Sequence, residues 1–239
     1  ALTGGTLQMG TPEGSWDEQP AHEVQLQPFA LMRTELTVAD YTACVRAGAC
    51  SEPQRDSPGE CNWGRPGRED HPINCLDWEQ ATTACTWLGG RLPSEAEWEW
   101  AARSAGTTPY PWGDEEPSCT RAVMAEAPDR PGCGEGETTA PVCSRPDGNS
   151  AQGLCDLAGN VWEWTADCWY TGMEVTAHGY EGAPTDGSPR TPIDEPPYPC
   201  QDRWKAVRGG DKVESAGLAS IAGARYDSLG PGVGSGLRT

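Results

Sequence analysis

In the stretch Asp156-Leu157-Ala158-Gly159-Asn160-Val161-Trp162-Glu163-Trp164, two carboxylates flank a Gly-Asn pair, and two tryptophans bracket the second carboxylate. Glycine and asparagine adopt positive φ at low cost, so Gly159-Asn160 reads as a tight turn. Val161 to Thr165, rich in β-branched and aromatic side chains, reads as a strand leaving it. A turn feeding a strand gathers carboxylate and carbonyl oxygens and anchors them on large apolar rings. Hard cations such as calcium take oxygen sets of this kind. The plainer alternative is that Glu163 accepts backbone hydrogen bonds while both tryptophans fill core.

The other residues able to do chemistry are cysteines, at 44, 50, 61, 75, 85, 119, 133, 143, 155, 168 and 200. They are scattered, no Cys-x-x-Cys pair occurs, and His22, His71 and His178 form no ligand motif, which argues against zinc. A disulfide framework made in an oxidising compartment fits better. The odd count leaves a thiol free or joined to another chain.

At 239 residues with a net charge of −19, the chain would repel the phosphates of nucleic acid. A hydrophobic fraction of 36% with 30 Gly and 22 Pro implies a loop-rich fold, its core helped by 11 Trp. No apolar run approaches the ~18–20 residues needed to cross a bilayer, so membrane association would require a tether outside this sequence. The sequence opens at Ala1 without a charged and then apolar segment, so any signal peptide is expected to be already absent from it. A secreted, periplasmic or cell-surface protein is expected.

These residues must be positioned by few regular elements. One helix is expected from Val38 to Ala47 with Thr37 as N-cap, and another from Trp78 to Leu88, stopped by Gly89-Gly90. A third begins at Pro93-Ser94-Glu95-Ala96-Glu97, where Ser94 caps and Glu97 stands at the capping-box position; its Trp98, Ala101 and Ala102 face reads as core. Short strands and Gly- and Pro-rich turns fill the rest, and Gly172 to Pro199 reads as a long surface loop. Without internal repeats or a clear boundary, residues 1–239 are expected to form a single domain.

Ordered motifs along the chain carry a resemblance. They are Gly4-Gly5-Thr6-Leu7-Gln8-Met9-Gly10, Trp16 to Val24, Glu35 to Tyr41, Arg91-Leu92-Pro93-Ser94-Glu95-Ala96-Glu97-Trp98-Glu99-Trp100-Ala101-Ala102-Arg103, Tyr110-Pro111-Trp112-Gly113, Gly159 to Trp164, and Val207-Arg208-Gly209-Gly210. In this order they resemble the formylglycine-generating-enzyme (sulfatase-modifying factor) family. The resemblance implies a C-type-lectin-like α+β fold, loop-rich, with few short helices and short antiparallel strands. It also implies a calcium site built from the Asp156 side chain, the carbonyls of Gly159 and Val161, and Glu163. For a second family calcium site, near Arg121-Ala122-Val123 and Gly134-Glu135-Gly136, the expected Asn and Asp are missing.

Formylglycine-forming members bind copper through two cysteines beyond the Arg-Gly-Gly motif, and the resemblance aligns those positions with Gly217 and Ala222. No cysteine occurs after Cys200, and copper(I) needs thiolates, so no copper and no such oxidase chemistry is expected. A related branch holds iron through histidines of an added helical domain, which has no counterpart here. The family's terminal cysteine is Thr239 here, which leaves the residue matching its partner, Cys85, as the odd thiol or with another partner.

Beyond Gly210 the chain departs from the family: Asp211-Lys212 comes next, and the stretch is rich in Gly, Ala, Ser and Val. The segment resembles the variable region of diversity-generating retroelement proteins, some of which share this fold. Of the residues such randomisation does not produce (Lys, Glu, Trp, Met, Gln), it holds Lys212 and Glu214 alone. The first reading is therefore a non-catalytic, receptor- or adhesion-type binding protein, its recognition surface lying within 207–238. Asp211, Lys212, Val213, Ser215, Ile221, Tyr226, Ser228 and Val233 are the expected contacts, with Tyr226 the natural hot spot. Small residues suit a protein ligand better than a glycan. Alternatives are an enzyme or maturation factor of the family with non-cysteine chemistry, or a structural extracellular domain.

Overall fold

Three short helices form, among the described residues, where the sequence supplies reciprocal N-caps. Thr37 and Asp40 exchange side-chain and backbone hydrogen bonds at the start of α1 (Val38–Arg46). Asp77 and Gln80 do so for α2 (Trp78–Trp87), and Ser94 and Glu97 for α3 (Glu95–Ala102). Each cap satisfies amides that the helix leaves orphaned, stabilising it by about 0.5–2 kcal/mol. Gly89 at φ 84 stops α2 just beyond its Leu88 C-cap. The computed structural model describes residues 1–13, 18–53, 61–124, 133, 138–169, 179–191 and 204–210, and the backbone of 225–228 and 235–236.

β1 (Gly5–Met9) and β2 (His22–Leu26) pair antiparallel with Leu7 opposite Val24. Their alternate residues Leu7, Met9, Val24 and Leu26 are buried and pack on Ala96 and Trp100 of α3 and on Tyr180. A second sheet holds β3 (Trp162–Cys168), β4 (Trp204–Arg208), β5 (Arg225–Ser228) and β6 (Ser235–Gly236), in the order β5-β4-β3-β6. β3 and β4 are antiparallel, with Glu163 opposite Arg208 and Trp164 opposite Val207; β6 runs parallel to β3. Trp164 and Val207 close a core with Leu36, Tyr41, Ile73 and Leu76 against α1 and α2. Trp98, wholly buried, packs with Ala101, Leu154 and Leu157.

α3 is buried on every side, not on one face: Glu95, Glu97 and Glu99 are as enclosed as Trp98 and Ala101. Disulfides join Cys44–Cys50, Cys61–Cys75, Cys119–Cys133 and Cys143–Cys155, and Cys168 is disulfide-bonded as well. Cys85 is the free, buried thiol among the described residues. Of the expected surface loop Gly172–Pro199, the described part, 179–191, is pinned to the body, and its Tyr180 is 5% exposed. No helix among the described residues is long and apolar enough to cross a membrane.

Candidate functional site

The turn at 156–160 is held by three residues with positive φ: Asp156 at 56°, Gly159 at 84° and Asn160 at 66°. Glycine is required at 159, since a Cβ there would lie 2.4 Å from the Val123 carbonyl oxygen. The Asn160 amide donates to that carbonyl at 2.8 Å, and the Gly159 amide donates to the Gly209 carbonyl at 2.8 Å. The motif turn thereby fastens directly to the Arg-Gly-Gly end of β4. Asn160 also ties in the 138–142 segment: its Oδ1 accepts the Ala140 amide at 3.0 Å, and its Nδ2 donates to Glu35 Oε2 at 2.8 Å.

Asp156, Gly159, Val161 and Glu163 lie along this one turn and the start of β3. Asp156 Oδ2 accepts the Cys143 amide at 2.6 Å, and Glu163 Oε2 accepts the Trp98 indole N–H at 2.9 Å. Glu163 is fully buried and Asp156 is 8% exposed. No cluster of three or more His, Cys, Asp or Glu side chains poised for a metal occurs among the described residues. Carboxylates and main-chain carbonyls are hard oxygen donors, a chemistry that suits a hard cation and not copper or zinc.

Of the expected recognition residues, Asp211, Lys212, Val213, Ser215, Ile221 and Val233 lie outside the described residues, as do Gly217 and Ala222. Tyr226 and Ser228 fall in β5, in register with Ala206 and Trp204 of β4. Half-buried Trp63, Trp78 and Trp162, the last in β3 itself, pack against the core that Trp164 and Val207 close, and Lys205 Nζ sits 4.0 Å above the Trp78 ring. A cleft of about 470 Å³ opens elsewhere, lined by Phe29, Leu31, Met32, Leu88, Arg91 and Glu97.

Sequence reasoning missed a buried ionic network behind β4. Arg208, with no exposed surface, donates through Nε to Glu95 Oε1 at 2.9 Å and through Nη2 to Glu99 Oε2 at 3.0 Å. Nη2 also reaches the Tyr180 hydroxyl at 2.5 Å, which in turn donates to Glu95 Oε1 at 3.0 Å. Arg103 Nη1 bonds the other Glu99 oxygen at 3.1 Å. Asp167 lies alongside: Oδ2 accepts the Glu95 amide at 2.7 Å and Oδ1 the Arg190 amide at 2.8 Å. Burial, then the Glu95 carboxylate, pushes Asp167 up to about 7. Burial opposes the charge on Arg208, but Tyr180, Glu95 and Glu99 more than offset it. The legible signal was three glutamates interleaved with tryptophans in α3, too regular for a solvated face.

The model of the sulfatase-modifying factor enzyme 1-like domain matches residues 1–231. The chain belongs to this family. Within it, the formylglycine-generating enzyme of Streptomyces coelicolor is 34% identical over 219 residues, covering 71% of this chain and 68% of that protein. The inactive C-alpha-formylglycine-generating enzyme 2 of Bos taurus is 32% identical over 209 residues, 69% of each chain. Among solved structures, PvdO from Pseudomonas aeruginosa superposes with a TM-score of 0.78 at 30% identity, over 99% of this chain and 91% of that one. Treponema denticola variable protein 1 gives 0.67 at 21% identity, over 99% and 92%, a likeness of fold. The family thus includes catalysts and a member named inactive, so membership alone does not assign an activity.

Proposed function

We propose that this chain is a non-catalytic, ligand-binding member of the family, its recognition surface built from residues after Gly210 and its frame braced by calcium. The observation that carries this reading is the lack of any cysteine beyond Cys200: without thiolates the family's copper chemistry has no ligands. A frame fixed up to Gly210, by Arg208 in its carboxylate cage and by the Gly159–Gly209 hydrogen bond, supports it further. Rigid scaffolds that carry variable surface segments are suited to recognition. The fold shared with a Treponema variable protein supports the same use, and retroelement diversification of residues 211–235 extends it. A protein ligand suits a surface of small residues better than a glycan does.

Asp156, the Gly159 and Val161 carbonyls and Glu163 would hold the calcium, which when bound supplies charge compensation to buried carboxylates and no redox chemistry. The disulfides favour a secreted, periplasmic or cell-surface location.

A second reading, an enzyme with non-cysteine chemistry, draws on the perturbed Asp167 beside Glu95 and Tyr180. The cavity those groups line holds only about 10 Å³, room for one water and not a substrate. Binding to an array of candidate extracellular proteins, before and after scrambling residues 211–235, separates the two readings. Binding lost with the fold intact supports recognition; binding that survives scrambling sinks it.

A further inference from the structure

Residues 179–191 form a strap tied to several parts of the fold. The Tyr180 amide donates to the Gln19 carbonyl at 2.7 Å, and the Thr185 carbonyl accepts the Gln25 amide of β2 at 2.8 Å. On β3, the Arg190 carbonyl accepts the Cys168 amide at 2.9 Å, and the Arg190 amide donates to Asp167 at 2.8 Å. The Arg190 guanidinium turns back to the Gly179 carbonyl at 2.5 Å and the Glu181 carbonyl at 2.7 Å, closing the strap on itself. Asp167 is thus shared between strap and body: one oxygen takes the Arg190 amide and the other the first amide of α3.

The charges around this junction do not balance when all are ionised. Glu95, Glu99 and Asp167 are each under a tenth exposed. Arg208 serves Glu95 and Glu99, and Arg103 serves Glu99. Among the described residues no guanidinium or ammonium forms an ion pair with Asp167. The nearby cations have other partners: Arg91 is on Glu97, Arg190 on the strap carbonyls, and Lys205 over Trp78. The His22 ring packs against Tyr180, 5.3 Å between centroids, while Asp186 is exposed at the strap's turn. A buried, unpaired third carboxylate is costly, whereas one bound proton restores neutrality.

We propose that Asp167 is a protonation latch on this strap: neutral, it holds 179–191 closed on β3 and α3; ionised, it sets a third buried negative charge beside Glu95 and loosens the strap. The proton is exchanged with solvent, and the water-sized cavity among His22, Glu95, Asp167, Tyr180 and Arg190 gives a site for the water that would carry it. Protonation leaves both Asp167 oxygens a lone pair for their amides, so the closed geometry survives it. The elevated affinity of Asp167 for a proton, caused first by burial and then by Glu95, sets the window near neutrality.

Hydrogen exchange of the full chain tests the latch. The Arg190 and Tyr180 amides are monitored from about pH 5.5 to 8.5, corrected for intrinsic exchange and referred to the Ala81 and Leu88 amides of α2. Strap protection is expected to fall about tenfold relative to α2 across this range. Glu95→Gln, which removes the repelling charge, should shrink the fall, and Asp167→Asn should flatten it. If Asp167→Asn does not fold, Glu95→Gln decides alone. Strap and α2 protection changing in parallel, or a fall unaltered in Glu95→Gln, overturns the proposal.

Discussion

The Trp98 indole N–H donates to the Glu163 carboxylate at 2.9 Å, joining the middle of α3 to the first turn of the motif strand. Both residues are fully buried, so this bond holds one oxygen of the Glu163 carboxylate in place. A helix that looks purely structural therefore positions the proposed cation site.

Chelation should expose that dependence. At calcium a hundredfold above its Kd, binding stabilises the folded state by about 2.7 kcal/mol. For a chain of this size EGTA is then expected to lower Tm by roughly 5–10 °C, restored by calcium. Scanning fluorimetry checks it, with Glu163→Gln as the insensitive control; a wild-type Tm indifferent to both EGTA and calcium removes the site.

Arg208→Met should destabilise the fold by about 3–5 kcal/mol, because Glu95 would be left buried without its cation and Glu99 with Arg103 alone. Adding Glu95→Gln and Glu99→Gln should recover much of that loss. Urea midpoints of the single and triple variants measure it. A triple variant no better than the single one would mean that packing around Arg208, not charge, holds the network.

Asp167 gives stability an inverted pH dependence. Its folded value of about 7 lies above the ordinary 3.8, so the folded state binds the proton more tightly than the unfolded one. Its contribution is fully present below the ordinary value and is lost as pH rises through about 7. The wild-type urea midpoint, referred to Asp167→Asn, should therefore decline from pH ~5 to ~8.

Cys85 should be inert. It has no exposed surface, and burial pushes its thiol up to about 12, so little thiolate exists near neutrality. Mass spectrometry after iodoacetamide treatment should find Cys85 unmodified in the native protein and fully alkylated in denaturant. Ready labelling of the native protein would show that α2 opens far more often than its packing implies.

Sequence reading located what is local. Thr37 and Ser94 announced helix starts because capping is settled within a few residues, and Gly159-Asn160 announced the turn because its φ values are positive. The odd cysteine count left a thiol unmatched, and the family resemblance pointed to Cys85 or another partner for it; the structure shows Cys85 as the free, buried thiol among the described residues. Arg208 finds Glu95 and Glu99 more than a hundred residues away, and no local pattern encodes that meeting. Tyr180 and Arg190 sit in a stretch without periodicity, so their anchoring by Glu95 and Asp167 was equally hidden.

The sheet order β5-β4-β3-β6 has a consequence for inheritance. Its two central strands are complete by Arg208, and the remainder of the chain supplies the outer strands, one on each flank. The β3–β4 pairing, Glu163 opposite Arg208 and Trp164 opposite Val207, therefore draws on no residue after Arg208. A lineage that changed only later positions would inherit every residue of that central pairing unaltered.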